Sequence, residues 1–98
     1  MRLVYLSTAE EDFKWMHHSY SFWFREGKER AWRRYQNSLR LIMDNPTIGK
    51  PFGAPPRRRH VVPHTPFVIY YQVQNDRLEI VRIWDARRNI EHLGFDKP

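Results

Sequence analysis

Apolar residues recur along this chain with two different periods, and the change from one to the other divides it. From Thr8 to Arg25, Phe13, Met16, Tyr20, Trp23 and Phe24 fall at helical spacing and form one stripe; from Lys28 to Asp44, Ala31, Trp32, Tyr35, Leu39 and Ile42 form a second. Beyond Asn45 the period shortens to that of strands. Arg58–Val62, Phe67–Gln74 and Leu78–Asp85 each read as extended, and Arg2–Leu6 is a short β-prone segment at the start. Punctuation agrees with this division. Ser7 and Thr8 are good helix N-caps ahead of the acids Glu10, Glu11 and Asp12, and Gly27 supplies the positive-φ residue that ends the first helix. Pro46, Gly49, Pro51, Gly53, Pro55 and Pro56 make Asn45–Pro56 a connector, and Pro63 stops the strand before it.

The expected fold is therefore α+β. One domain spans residues 1–98: an N-terminal strand, an antiparallel two-helix hairpin, and a curved, mainly antiparallel sheet. A two-residue turn at Asn75-Asp76 suits the positive-φ tolerance of those residues and sets a register for the last hairpin. In that register Phe67 opposes Trp84, Ile69 opposes Arg82, Tyr71 opposes Ile80 and Val73 opposes Leu78 on one face; Val68, Tyr70, Val81 and Ile83 occupy the other. Both faces are largely apolar, so the hairpin is central: helices cover one side and Asn89–Pro98 is the natural cover for the other. Arg82, amid apolar neighbours, is expected to be anchored by a carboxylate or to emerge at the sheet edge. Trp84 is expected to have its ring in the core and its rim exposed.

Two aromatic residues fall outside this scheme. Trp15 and Phe22 project from nearly the opposite side of the first helix, where a two-layer domain offers no core. A terminal tail, a protein partner or a second copy of the chain would each cover them.

Charge adds a partner class. Lys and Arg number 17 against 11 Asp and Glu, giving +6 and pI ≈ 10.1, which favours anionic partners: nucleic acid, an acidic protein or an anionic surface. Arg57, Arg58, Arg59, Arg82, Arg87 and Arg88 all fall on or beside the strands. Arg57–Arg59 have, as a lesser alternative, a role as a charged edge that discourages aggregation, and Arg30, Arg33, Arg34 and Arg40 on the second helix could grip phosphates but read rather as a solvated face. There is no cysteine, so neither disulfides nor thiolate metal sites arise, and the cytoplasm is the expected compartment. Nothing approaches a membrane span or a signal peptide. The histidines His17, His18, His60, His64 and His92 do not make a metal site, since adjacent His17 and His18 diverge on a helix.

The element order, the basic strand before a proline, and Pro66-Phe67-Val68-Ile69-Tyr70-Tyr71 followed after a turn by Ile80-Val81-Arg82-Ile83-Trp84 and a terminal arginine pair resemble the RelE/ParE toxin superfamily, specifically its ParE branch. That branch usually continues with His-Gly before its terminal arginines, where this chain has Asp85-Ala86. The resemblance implies a toxin of a type II toxin-antitoxin system, neutralised by a cognate antitoxin in a possible hetero-oligomer, with no cofactor and no metal. It also implies one of two activities: binding and poisoning DNA gyrase, or, in RelE-like members, cleaving mRNA on the ribosome.

Residue chemistry weighs the two. RNA cleavage requires a base for the 2′-hydroxyl, an acid for the leaving oxygen and charge stabilisation of the phosphorane, and arginine supplies only the last. For cleavage, Arg59, Arg82 and Arg88 would hold phosphate, His60 or His92 would move protons, and Asp85 would orient either. For binding, Arg57, Arg58, Arg59, Arg82, Trp84, Arg87 and Arg88 would contact the target and Trp15 and Phe22 the antitoxin or a second copy. The incomplete set of proton carriers favours binding. A third reading is a non-toxic protein that binds its antitoxin and acts as a co-repressor.

Overall fold

The change of period holds in three dimensions. The computed structural model describes residues 1–23, 28–88 and 93–94, with side chains over 1–18, 29–88 and 93–94. Strand β1 (Arg2–Tyr5) leads into helix α1 (Ser7–Trp23); helix α2 (Lys28–Asp44) follows, and then strands β2 (Lys50–Pro51), β3 (Arg58–Val61), β4 (Phe67–Gln74) and β5 (Arg77–Asp85). The sheet has the order β1-β5-β4-β3-β2, with β1 parallel to β5 and every other pair antiparallel. This is the expected α+β arrangement. Gly27 and the end of the first helix as predicted lie outside the described residues. β2 was not legible in the sequence, because it is two residues long and one of them is proline.

One face of the sheet packs on the helices. Ala9 and Met16 from α1, Tyr35 and Ile42 from α2, and Phe67, Ile69, Tyr71, Leu78, Ile80 and Ile83 from the sheet form its core. Tyr5 and Tyr35 share a hydrogen bond of 2.6 Å beneath the helices, and burial raises the pKa of both phenols. The α2 stripe is narrower than its apolar pattern, because Trp32 lies at the exposed margin while Ser38 is buried. Gly49 permits a close approach here. Its N–H donates to Tyr71 Oη at 2.8 Å, and a Cβ on Gly49 would lie 2.5 Å from that oxygen and 2.7 Å from the Arg59 carbonyl oxygen.

The β4–β5 hairpin departs from its expected register in a way that matters. Asn75 and Asp76 adopt φ of 52° and 57°, as the turn requires, and Val73↔Leu78 and Tyr71↔Ile80 pair as expected. Between Tyr70 and Tyr71 the register shifts: Tyr70 pairs with Arg82, Ile69 with Ile83, Val68 with Trp84 and Phe67 with Asp85. Val81 is the extra residue of a β-bulge. One inserted residue reverses the facing of everything beyond it. Ile83 therefore moves to the helix side, and Arg82 and Trp84, expected there, move to the outer face.

The bulge is pinned from α1. Where β1 ends, β5 would present an open edge; instead Thr8 Oγ1 donates to the Val81 carbonyl at 3.2 Å, and the Asp12 carboxylate accepts from the Ile83 N–H at 3.1 Å. The same carboxylate takes Arg82 Nε at 2.6 Å and Nη2 at 3.0 Å, while Arg82 Nη1 donates to the Leu93 carbonyl at 2.7 Å. Arg82 is thus anchored by a carboxylate, as its apolar surroundings demand. Leu93, buried against Val68, Tyr70 and Trp84, covers part of the outer face, and residues 89–92 and 95–98 of the expected cover lie outside the described residues.

Candidate binding cleft on the outer face

Alternation along β3 separates the arginines that run together in the sequence. Arg58 pairs with Tyr71 and His60 with Ile69, both on the helix side, whereas Arg59 pairs with Tyr70 on the outer face. Arg58 Nη1 donates to the Gly49 carbonyl at 2.8 Å and reaches that of Thr47 at 3.5 Å. His60 Nε2 shares a hydrogen bond of 3.1 Å with the buried Ser38 Oγ of α2, and burial lowers its pKa. Arg57 lies in the turn before β3, its N–H donating to the Ala54 carbonyl and its carbonyl accepting from Phe52.

Only Arg59 of this run reaches a cleft of about 220 Å³. Val68, Tyr70 and Trp84 lie along it, Val61, Thr65, Pro66 and Ala86 complete its lining, and Arg59 and Arg88 supply its charge. Arg59 lies over the Phe52 ring at 5.9 Å and bonds the Tyr70 hydroxyl. Tyr70 was not foreseen as part of a site. Burial raises its pKa more than the neighbouring Arg59 lowers it, so the phenol keeps its proton at neutral pH. Proton exchange here was expected from His60, which instead faces the helices, or from His92, which lies outside the described residues. No sequence signal singles out Tyr70, one of five apolar or aromatic residues in a row.

The other end of the cleft is built from tryptophan. Trp84 is 1% exposed: its ring lies in the core as expected, its rim is buried too, contrary to expectation, and its Nε1–H has no acceptor among the described residues. The Arg82 guanidinium lies 5.1 Å from the Trp84 ring centroid and that of Arg88 4.2 Å; Arg88 also lies 4.7 Å from Trp15. Trp15, 39% exposed on α1, is therefore continuous with the arginines of β5 and its terminus rather than a separate surface. Phe22, paired with it in the sequence reading, has a side chain outside those described.

Asp85 gives the departure from the usual branch pattern a physical role. It is 3% exposed and holds Arg87 through paired bonds, Nη2 to Oδ2 at 2.5 Å and Nε to Oδ1 at 2.9 Å, while its Oδ1 also accepts the Arg87 N–H at 2.9 Å. Burial would raise its pKa, but those bonds and the charges of Arg87 and Arg88 outweigh it and hold the carboxyl below its usual range. Of the arginines proposed for a target, Arg82 and Arg87 are thus paired internally and Arg58 is tied to carbonyls. Arg59 and Arg88 converge on the cleft.

Among the described residues no helix is long and apolar enough to cross a membrane, and no three His, Asp or Glu side chains gather to hold a metal ion. No curated protein sequence matches the chain significantly. It is similar in structure to a chain of the chromosomal ParDE TA system from P. aeruginosa, with a TM-score of 0.62 and 22% identity over 85% of this chain and 92% of that one, a likeness that shows the fold. The family model of the ParE toxin of type II toxin-antitoxin systems, parDE, matches residues 3–90. With nearly its whole length matched, this chain belongs to the ParE toxin family.

Proposed function

We propose that this protein is a toxin that inhibits DNA gyrase by binding it in the cytoplasm, and that a cognate antitoxin neutralises it by covering the toxin surface. Family membership supports the toxin class. The observation that carries binding over cleavage is the composition of the outer cleft: Arg59 and Arg88 offer charge, while Tyr70 keeps its proton and His60 lies on the opposite side of the sheet. Cleavage of RNA needs a group that accepts the 2′-hydroxyl proton at neutral pH, and a phenol with a raised pKa beside an arginine does not. Two cations over an apolar floor suit recognition of acidic groups.

Purified protein assayed on supercoiled DNA with gyrase, and in parallel on translating ribosomes, tests the reading. Inhibition of supercoiling with intact message is the expected result. Message cut at the ribosomal A site with gyrase unaffected would establish the ribonuclease alternative, and inactivity in both assays with tight antitoxin and operator binding would establish the co-repressor. Co-expression with the neighbouring open reading frame is expected to relieve toxicity.

A further inference from the structure

Arg88 differs from the other arginines of the sheet in what holds it. Its guanidinium lies over the Trp84 and Trp15 rings, at 4.2 and 4.7 Å, and among the described residues no carboxylate or carbonyl accepts from its side-chain N–H groups. Contacts with π faces fix a guanidinium without using any of its hydrogen bonds. Among the described residues, the planar fork is left whole for a ligand. Arg59 lines the same cleft, and the wall between them is apolar: Val68, Pro66, Ala86 and the Trp84 ring.

We propose that this cleft binds a single carboxylate side chain, an aspartate or glutamate presented by a partner protein, with Arg88 as the bidentate donor and Arg59 as the second cation. The inference rests on the reading of this face as a protein-binding one and names the group it recognises. Charge complementarity requires an anion here. A nucleic-acid strand is disfavoured because successive phosphates need successive free cations, and the nearby arginines are already engaged: Arg82 by Asp12, Arg87 by Asp85 and Arg58 by backbone carbonyls. A carboxylate on an aliphatic stem matches both the two cations and the apolar walls.

The test is a titration of the ¹⁵N-labelled full-length protein with a blocked peptide Ala-Leu-Glu-Leu-Ala, followed at the indole N–H signals of Trp84 and Trp15 and the Arg88 Nε–H. Saturable shifts are expected, with the corresponding Gln peptide binding at least about tenfold more weakly. Arg88→Gln and Arg59→Gln, each with an unchanged circular dichroism spectrum, are expected to lose the Glu-over-Gln preference, and Trp15→Phe to weaken binding less. Equal binding of both peptides, no saturable shift, or a thymidine oligonucleotide moving the same signals at lower concentration would overturn the inference. Because gyrase is absent from this titration, its outcome is separate from that of the supercoiling assay: binding of the Glu peptide by a protein that leaves gyrase untouched retains the site and removes the target.

Discussion

The two faces of the central hairpin are made of the same kinds of residue and behave differently. On the helix side, Phe67, Ile69, Tyr71, Ile80 and Ile83 meet apolar helix residues, and the polar groups that intrude are bonded: Tyr71 Oη donates to the Pro46 carbonyl at 2.8 Å and accepts from Gly49. On the outer side, Val68, Tyr70 and Trp84 are equally buried, yet two arginines line their cleft and the Trp84 indole N–H has no acceptor among the described residues. A closed core satisfies its own polar atoms, whereas on the outer face, which we propose meets a partner, one buried donor is left over among the described residues. The bulge at Val81 is what divides them, since it moves Trp84 and Arg82 outward in exchange for Ile83.

The strongest way to break the comparison is to release the bulge. Asp12→Ala removes the acceptor of two Arg82 bonds and of the Ile83 N–H, leaving a mostly buried guanidinium, with 17% of its side chain exposed, without its carboxylate. A loss of about 3–5 kcal/mol is expected, as for other buried pairs deprived of one partner, and urea denaturation measures it. A destabilisation below about 1 kcal/mol would mean that Asp12 does not hold the outer face in register.

Gly49→Ala strikes only the helix side. Its Cβ would overlap Tyr71 Oη and the Arg59 carbonyl, and about 1–3 kcal/mol of destabilisation is expected from the forced shift. Since Arg59 carries its side chain to the other face, binding by the surviving folded fraction is expected to stay within a factor of about two.

Much of this fold was legible because period, caps and turn residues agree. Two helices, the Asn75-Asp76 turn and the inner half of the hairpin register all follow from local rules. The bulge does not, for no glycine marks it and its hydrogen bonds come from Thr8 and Asp12, seventy residues or more away in the chain. Half of the site was hidden with it. Arg88 and Trp15 were each singled out, but only the path of α1 beside β5 joins them, and the run Arg57–Arg59 looked like one cluster until alternation split it.

The mildest effect concerns acid. Burial lowers the His60 pKa, so the unfolded chain takes up this proton more readily than the folded one, and the sign follows. Stability is fully present above the unfolded value of about 6.5 and is lost as pH falls from there through the depressed folded value. His60→Gln is expected to flatten that part of the stability profile, as measured by thermal unfolding across the range. An unchanged slope would place the acid sensitivity elsewhere.

The most direct test of a working outer face and a structural inner one compares two double variants in a gyrase supercoiling assay, each at concentrations corrected for folded protein. Arg59→Gln with Arg88→Gln is expected to lower inhibition by at least about tenfold, while Arg58→Gln with His60→Gln stays within about threefold of the unaltered protein. Inhibition retained by the first pair and lost with the second would contradict the account.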